Sequence, residues 1–179
     1  MLFNRLRHVV VGAGLLLLSA CGGSLSTEDS QKAYAAVSSA SAAAAVAASE
    51  AEINGKAGFT VDKSNGTIAV KGTLTSPSGG TVTIDSSTTS GASGSAQTLV
   101  LDFSNWKEPA ANLTLKGKLT NAVKVDNTGA STTTTKGDIE LSGALSGTAS
   151  FDITTTGMAG CVTTTGTIAG NAINIKAGC

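Results

Sequence analysis

The stretch FTVDKSNGTIAVKGTLT, residues 59–75, indicates the fold of this chain. Apolar residues alternate with polar ones through both halves of it: Phe59, Val61, Ile68, Val70 and Leu74. Asn65 and Gly66 separate the halves, and Asn-Gly is the strongest short hairpin signal because a type I′ turn needs positive φ at both central residues. The stretch therefore predicts two antiparallel strands joined by a tight turn.

The same alternation continues to the C-terminus. Further short runs with this period lie at 81–85, 98–103, 112–120, 122–126, 137–147, 149–153, 161–169 and 171–175. The Ser/Thr-rich segments 86–95 and 126–135 are expected to be flexible loops. No second helical pattern separates the runs, so the sequence predicts a mainly β protein: a curved antiparallel meander, half-barrel or barrel-like, of about eight to ten strands.

One helix is predicted before the first strand. Residues 28–53 are rich in alanine, the best helix former. Ser26 or Thr27 can cap the helix at its start, and Asn54-Gly55 is a typical stop signal. Two interpretations remain open: the helix packs against the sheet, or it forms an Ala/Ser-rich stalk that holds the sheet at a distance.

A glycine recurs at inward-facing strand positions, namely Gly72, Gly117, Gly143 and Gly166. Glycine inside a strand weakens it and usually marks a bend, a bulge or a close backbone approach. We therefore expect a sharply curved sheet with these glycines on its concave side. We also expect the helix, if it packs, to lie directly over Gly117 and Gly143, so that a larger side chain there would clash with it.

Residues 1–20 have the parts of a secretory signal. A positive region with Arg5, Arg7 and His8 precedes the apolar run 9–18, which is too short for a membrane-spanning helix of about 20 residues. The following Leu18-Ser19-Ala20-Cys21 resembles the bacterial lipobox. This resemblance implies cleavage before Cys21, a diacylglycerol on its sulfur and a fatty acid, such as palmitate, on the new N-terminus.

The lipobox resemblance also implies a location and a domain organisation. Gly22, where Asp would imply retention in the inner membrane, implies an outer-membrane lipoprotein in a Gram-negative host, on either the periplasmic or the surface side. The chain then divides into a signal peptide at 1–20, a lipidated tether at 21–27 and one helix-plus-β domain at 28–179.

Cys161 and Cys179 remain after lipidation of Cys21, and an oxidising compartment predicts a disulfide between them. Two free thiols are the alternative. The cysteines flank the last hairpin, whose turn is expected at Gly170-Asn171. That two-residue turn keeps the isoleucines of both strands on one face but does not pair the cysteines. A three-residue turn would pair the cysteines but would place the isoleucines on opposite faces. A bulge near 177–178 would satisfy both requirements.

Composition limits the chemistry of the processed chain. Removing 1–20 removes both arginines and the single histidine, which leaves ten lysines against twelve acidic residues. A Ser-His-Asp triad, a His-bearing zinc site and bidentate Arg forks are therefore excluded, whereas a Ser-Lys nucleophile or a carboxylate pair is not. The lysines are dispersed, so nucleic acid is not an expected partner. We predict no catalytic residue, no cofactor and no metal ligand.

These observations favour a non-catalytic envelope lipoprotein, held to the membrane by its lipid, that acts as a structural or interaction module. The alternative is a lipid or other apolar-ligand binding protein of the envelope, which would need an apolar concavity that the helix leaves open. The protein partner or ligand is not specified by the sequence. Trp106 is interpreted as an anchor of a small core, with an exposed contact residue as the alternative.

Overall fold

The computed structural model describes residues 25–158 and 160–179. Helix α1, Thr27–Asn54, precedes nine strands: β1 Phe59–Ser64, β2 Thr67–Thr75, β3 Thr81–Gly91, β4 Gly94–Glu108, β5 Leu113–Asp126, β6 Ser131–Gly143, β7 Gly147–Met158, β8 Cys161–Ile168 and β9 Asn171–Ala177. Each strand pairs antiparallel with its neighbours in the chain, and β1 and β9 are the two edges of an open sheet. The predicted mainly β antiparallel meander with one N-terminal helix is confirmed. The signal peptide and Cys21 lie outside the described residues.

Helix α1 begins and ends where its capping residues predict. The Ser26 hydroxyl oxygen accepts a hydrogen bond of 3.1 Å from the Asp29 N–H, which satisfies one of the free donors of the first turn. At the other end Gly55 has φ of 69° and its N–H donates to the Ala51 carbonyl. The helix therefore matches the predicted range 28–53 to within one residue at each end.

The helix is packed against the sheet and is not a stalk. Nine of its residues are buried, and all but one are alanine or valine: Ser30, Ala33, Ala36, Val37, Ala40, Ala44, Ala47, Ala48 and Ala51. These side chains belong to the same hydrophobic core as the inward residues of the strands. Small side chains let the helix axis approach the sheet closely, which explains why a helix of low hydrophobicity packs so completely.

The helix crosses the sheet from one edge to the other. At its N-terminus the Asn171 Nδ2 donates to the Leu25 carbonyl at 2.7 Å and to the Ser30 Oγ at 3.0 Å. Near its C-terminus the Lys63 ammonium on β1 donates to the Glu52 carbonyl at 3.5 Å. A helix of 28 residues is about 42 Å long, and nine strands span about 38 Å. One helix is therefore long enough to cover the full width of the sheet.

We call the sheet face that carries this core the inner face. Its fully or almost fully buried residues are Val82, Ile84, Leu101, Phe103, Leu115, Leu119, Ile139, Phe151, Ile153 and Ile168. Trp106 is only 4% exposed, and its ring packs edge-on against Phe103 with centroids 6.5 Å apart. A register shift between these two residues, with Asn105 at φ of 52°, turns Trp106 inward. Trp106 is therefore a buried anchor and not an exposed contact residue, but it belongs to the main core and not to the small core that was expected.

The prediction of two flexible loops at 86–95 and 126–135 is wrong for most of their length. Strand β3 continues to Gly91, β4 begins at Gly94, and β6 begins at Ser131. The runs at 112–120 and 122–126 likewise form the single strand β5. These segments contain many threonines, whose β-branched side chains favour extended backbone. The segments 86–95 and 126–135 lack alternating apolar residues, so the sequence pattern did not indicate strands there.

The glycines lie on the inner face as predicted, and a close backbone approach, one of the expected reasons, accounts for Gly117 and Gly166, whereas the expected clash with the helix is wrong. Gly117 and Gly166 have φ of 126° and 136°, and a Cβ atom added at either would collide with a backbone carbonyl of the adjacent strand. The first obstacle is therefore the sheet itself and not the helix. Gly143 ends β6 and meets the same kind of obstacle, whereas Gly72 is covered by the Phe59 ring.

The last hairpin turns one residue earlier than predicted. Its turn residues are Ala169 and Gly170, with φ of 49° and 81°. Gly166 consequently pairs with Ile173, and the predicted turn residue Asn171 instead pairs with Ile168. Because the register changes by two positions from the predicted one, the isoleucines still share the inner face.

Candidate functional site

A groove lies beside α1 on the inner face of β4–β7, with a volume of about 300 Å³. The described residues that line it from the helix are Tyr34, Val37, Ser38, Ser41, Ala42 and Ala45. Those from the sheet are Gln97, Leu99, Leu119, Asn121, Val123, Thr133, Thr135, Phe151 and Thr155. None of these side chains is charged, so the groove favours an uncharged ligand or peptide segment.

The groove arises because the inward positions of the strands change from apolar to polar along their length. On β4 the inward series runs from Phe103 and Leu101 through Leu99 to Gln97. On β5 the series passes from Leu119 to Asn121. The helix covers the apolar half of the inner face, and the polar half stays beside it as one wall of the groove. The buried side chains of Leu99, Leu119 and Phe151 form an apolar floor.

Hydrogen bonds between strands position the polar side chains of the inner face. The Gln97 Nε2 donates to the Ser86 Oγ at 3.2 Å, and the Thr135 hydroxyl donates to the Asn121 Oδ1 at 2.7 Å. In the described part of the chain these bonds use one polar atom of each amide, which leaves the Gln97 oxygen and the Asn121 nitrogen for a ligand. The groove can therefore both accept and donate hydrogen bonds.

On the helix side of the groove lies a buried hydroxyl that lacks a partner. The Ser41 Oγ is inaccessible to solvent and forms no hydrogen bond within the described residues. A buried polar group without a partner costs about 1–3 kcal/mol. Because this oxygen is closed to solvent, it is not among the groove groups that a ligand could contact directly.

The opposite, outer face of the sheet is polar. Its cross-strand ion pairs include Lys71–Asp85 at 3.0 Å, Lys116–Glu140 at 3.0 Å and Lys136–Asp152 at 3.2 Å, all between well-exposed side chains. Such pairs contribute little stability in water. Beside them, the register of β6–β8 aligns two rows of threonines: Thr132, Thr156 and Thr163, and Thr134, Thr154 and Thr165. These six residues form a small uncharged patch on the outer face.

Asp126 organises the β5–β6 turn. Its Oδ1 accepts hydrogen bonds from the Thr128 hydroxyl at 2.6 Å, the Thr128 N–H at 2.9 Å and the Ala130 N–H at 3.0 Å. The hydrogen bond from the Thr128 hydroxyl is the main cause that lowers the pKa of Asp126. The carboxylate therefore serves as a turn cap, which is a structural role.

Cys161 and Cys179 form the predicted disulfide, with Cα atoms 4.6 Å apart. Strand β9 ends at Ala177, and Gly178 has φ of 70°. This left-handed residue, in place of the expected bulge, directs Cys179 toward Cys161. The bond ties the C-terminus to the start of β8.

We expect the disulfide to contribute about 3 kcal/mol to the unfolding free energy, because it closes a loop of 18 residues. Cys161→Ala/Cys179→Ala should lower the denaturant midpoint accordingly, and peptide mapping of the unreduced protein should recover the two cysteines in one linked pair. The same map after reduction is the control. Alkylation of both thiols without prior reduction would contradict the prediction.

No family model, curated protein or solved structure matches this chain. Of the predicted site residues, Cys161 and Cys179 are brought together and Cys21 lies outside the described part. Within 25–158 and 160–179 no three His, Cys, Asp or Glu side chains are placed to hold a metal ion, and no helix is long and apolar enough to cross a membrane.

Sequence reasoning did not identify the groove. One signal was present: Leu119, Asn121 and Val123 alternate without interruption between the two runs that seemed separate. An amide at an inward position of a continuous strand indicates a polar site on the buried face. The helix side of the groove carried no comparable signal, because Ala and Ser occur on every side of α1.

Proposed function

We propose that this chain is a lipid-anchored, non-catalytic envelope protein that acts as an interaction module. The observation that carries the proposal is the way α1 and the sheet share one core. A sheet braced across its width by a helix is a stiff platform, and it presents uncharged hydroxyl and amide groups in the groove. Such groups suit recognition of a neutral, hydrogen-bonding partner.

The alternative function, binding of a lipid or other apolar ligand, has less support. It requires a cavity lined by Leu, Ile and Phe, and α1 packs on the apolar half of the inner face. The groove keeps an apolar floor and most of its accessible lining is apolar, but five of its nine sheet residues are Thr, Asn or Gln. Native mass spectrometry of the protein purified from its own envelope separates the two functions: a bound lipid in stoichiometric amount would favour the alternative.

Crosslinking in the envelope tests the interaction module. A photoreactive amino acid at Ala45, which lines the groove, is expected to give one discrete adduct, whereas the same group at the nearby exposed Ala43 gives none. Gln97→Leu should abolish the adduct because it removes the amide on the sheet side. Loss of the adduct in this variant would tie the partner to the groove. Absence of an adduct at Ala45 would contradict the groove as an interaction surface.

We predict that Cys21→Ser blocks lipidation and signal cleavage, since the lipobox resemblance implies that the diacylglycerol is attached to the Cys21 sulfur and that the signal is cut directly before this residue. The variant should accumulate as a larger precursor that lacks the diacylglyceryl mass, as measured by gel mobility and intact mass spectrometry. Cys161→Ser is the matched control, and it should be processed normally. A correctly cleaved, unacylated Cys21→Ser protein recovered in the membrane fraction would refute the lipid anchor.

A further inference from the structure

Alternate turns of an antiparallel meander lie at the same end of the sheet. The turns at 76–80, 109–112, 144–146 and 169–170 share one end, which we call the tether end. The turns at 65–66, 92–93 and 127–130 share the other, far end. The four turns of the tether end contain only Ala, Asn, Gly, Leu, Pro and Ser, without a charged residue.

The exposed residues of the tether end are largely apolar or small. Pro77, Pro109, Ala110 and Ala144 are exposed, and Leu145 is half-buried. The connection from α1 to β1 lies at the same end and adds one charge, Lys56, whose ammonium is paired with the Glu50 carboxylate at 2.7 Å. The turns of the far end also lack charge, and charged residues flank turns at both ends: Lys107 and Glu108 at the tether end, Lys63 and Asp126 at the far end. The ends differ in that the far turns expose mainly Asn, Thr, Ser and Gly.

Leu25 fixes the start of the described chain to the tether end. Its side chain is 9% exposed and lies near Gly147, at the start of β7. Its carbonyl accepts the hydrogen bond from Asn171, next to the 169–170 turn. Leu25 follows Cys21 by four positions, and four residue steps span at most about 14 Å when fully extended.

We infer that the tether end docks on the lipid surface to which the protein is anchored. This inference rests on the proposed lipid attachment at Cys21. If the lipid anchor lies within about 14 Å of Leu25, the tether end must lie close to the membrane surface. The end that must approach the bilayer is the one whose turns expose Pro77, Pro109, Ala110 and Ala144, so contact with the interface desolvates few strongly polar groups.

Docking in this manner sets the orientation of the domain. Strand β5 has 14 residues, so the far end stands up to roughly 45 Å above the tether end. The polar wall of the groove lies on the half of the sheet toward the far end, because Asn121 and Thr133 follow Leu119 in that direction. The groove and the Asp126 turn therefore face away from the membrane.

The orientation can be measured with a chemically attached anchor. The mature chain 21–179 is coupled at Cys21 to a maleimide phospholipid, with the other two cysteines in their disulfide, and bound to vesicles of phosphatidylethanolamine and phosphatidylglycerol. An azide-bearing amino acid at Ala144 or Ala92 then receives a fluorescent dye. These alanines are matched, since both are exposed turn residues, one at each end of the sheet.

We expect nitroxide lipids in the vesicle to quench the dye at position 144 about three times more strongly than the dye at 92, given their separation of roughly 40 Å. Adding Ala110→Glu and Pro77→Glu should reduce this difference. Equal quenching at both positions, or stronger quenching at 92, would overturn the docking. Because the anchor is attached chemically, this outcome is distinct from a failure of Cys21 lipidation in the cell, which intact mass reports separately.

Discussion

A chain of residues 54–179, which lacks α1, is expected to lose cooperative unfolding altogether. The deletion uncovers the inner face of β2–β4, against which the helix packs. Val82, Ile84 and Leu101 are 0% exposed in the full domain, and each such side chain is worth about 1.5–3 kcal/mol on burial. The total unfolding free energy of a domain is only about 5–15 kcal/mol. The burial free energy lost with the helix is therefore comparable to the total stability of the domain.

The measurement is denaturant unfolding of 21–179 beside 54–179. We expect a sigmoidal transition for the longer chain, and a broad, gradual change with binding of a hydrophobic dye for the shorter one. Coincident midpoints and slopes would contradict the packed helix as part of the core. A milder pair of variants repeats the test within the intact chain: Ala44→Leu should destabilise because Ala44 is 0% exposed, whereas Ala43→Leu on the exposed side should not.

Gly117→Val is expected to lower the unfolding free energy by about 3 kcal/mol or more. Two effects act together: φ of 126° is a backbone region that side chains rarely adopt, and the added Cβ would collide with the Asp138 carbonyl of the paired strand. The strands must then separate or the backbone must flip, and both break hydrogen bonds of the sheet centre.

Gly91→Val is the matched control for Gly117→Val. Gly91 also lies in a strand, but it has no positive φ, and nothing lies within 4 Å of an added Cβ. Valine suits extended backbone, so the change there should be neutral or slightly stabilising. Chemical denaturation of both variants gives the comparison. If the two variants had the same denaturant midpoint, the backbone requirement for glycine at position 117 would be contradicted.

Local signals carried most of the fold prediction. Asn65-Gly66 forms the first hairpin turn, with φ of 52° and 72°, and Ser26 and Gly55 bound the helix because their chemistry fixes the backbone at that point. The extent of the strands was predicted less well. A strand whose inward residues change from Leu to Thr, as in β5 and β6, does not show a single hydrophobic period along its length.

The candidate site was less predictable than the fold for a physical reason. The groove depends on which half of the inner face α1 covers, and this is decided by packing between segments far apart in the chain. The same is true of the glycines: alternation placed Gly117 on the inner face, but only the paired strand reveals that a carbonyl occupies the space of its missing Cβ. The disulfide, by contrast, was predicted from the expected compartment and the number of cysteines alone.

The contact between Asn171 and Leu25 has a consequence for how the protein folds. Strands of a meander pair with sequence neighbours, so hairpins can form one after another with short loop closures. The hydrogen bond from Asn171 to the Leu25 carbonyl joins positions 146 residues apart. We expect folding to be completed when the last strand pairs and fixes the residues that precede α1. A chain truncated before β9 should therefore have an N-terminal segment that is open to proteolysis.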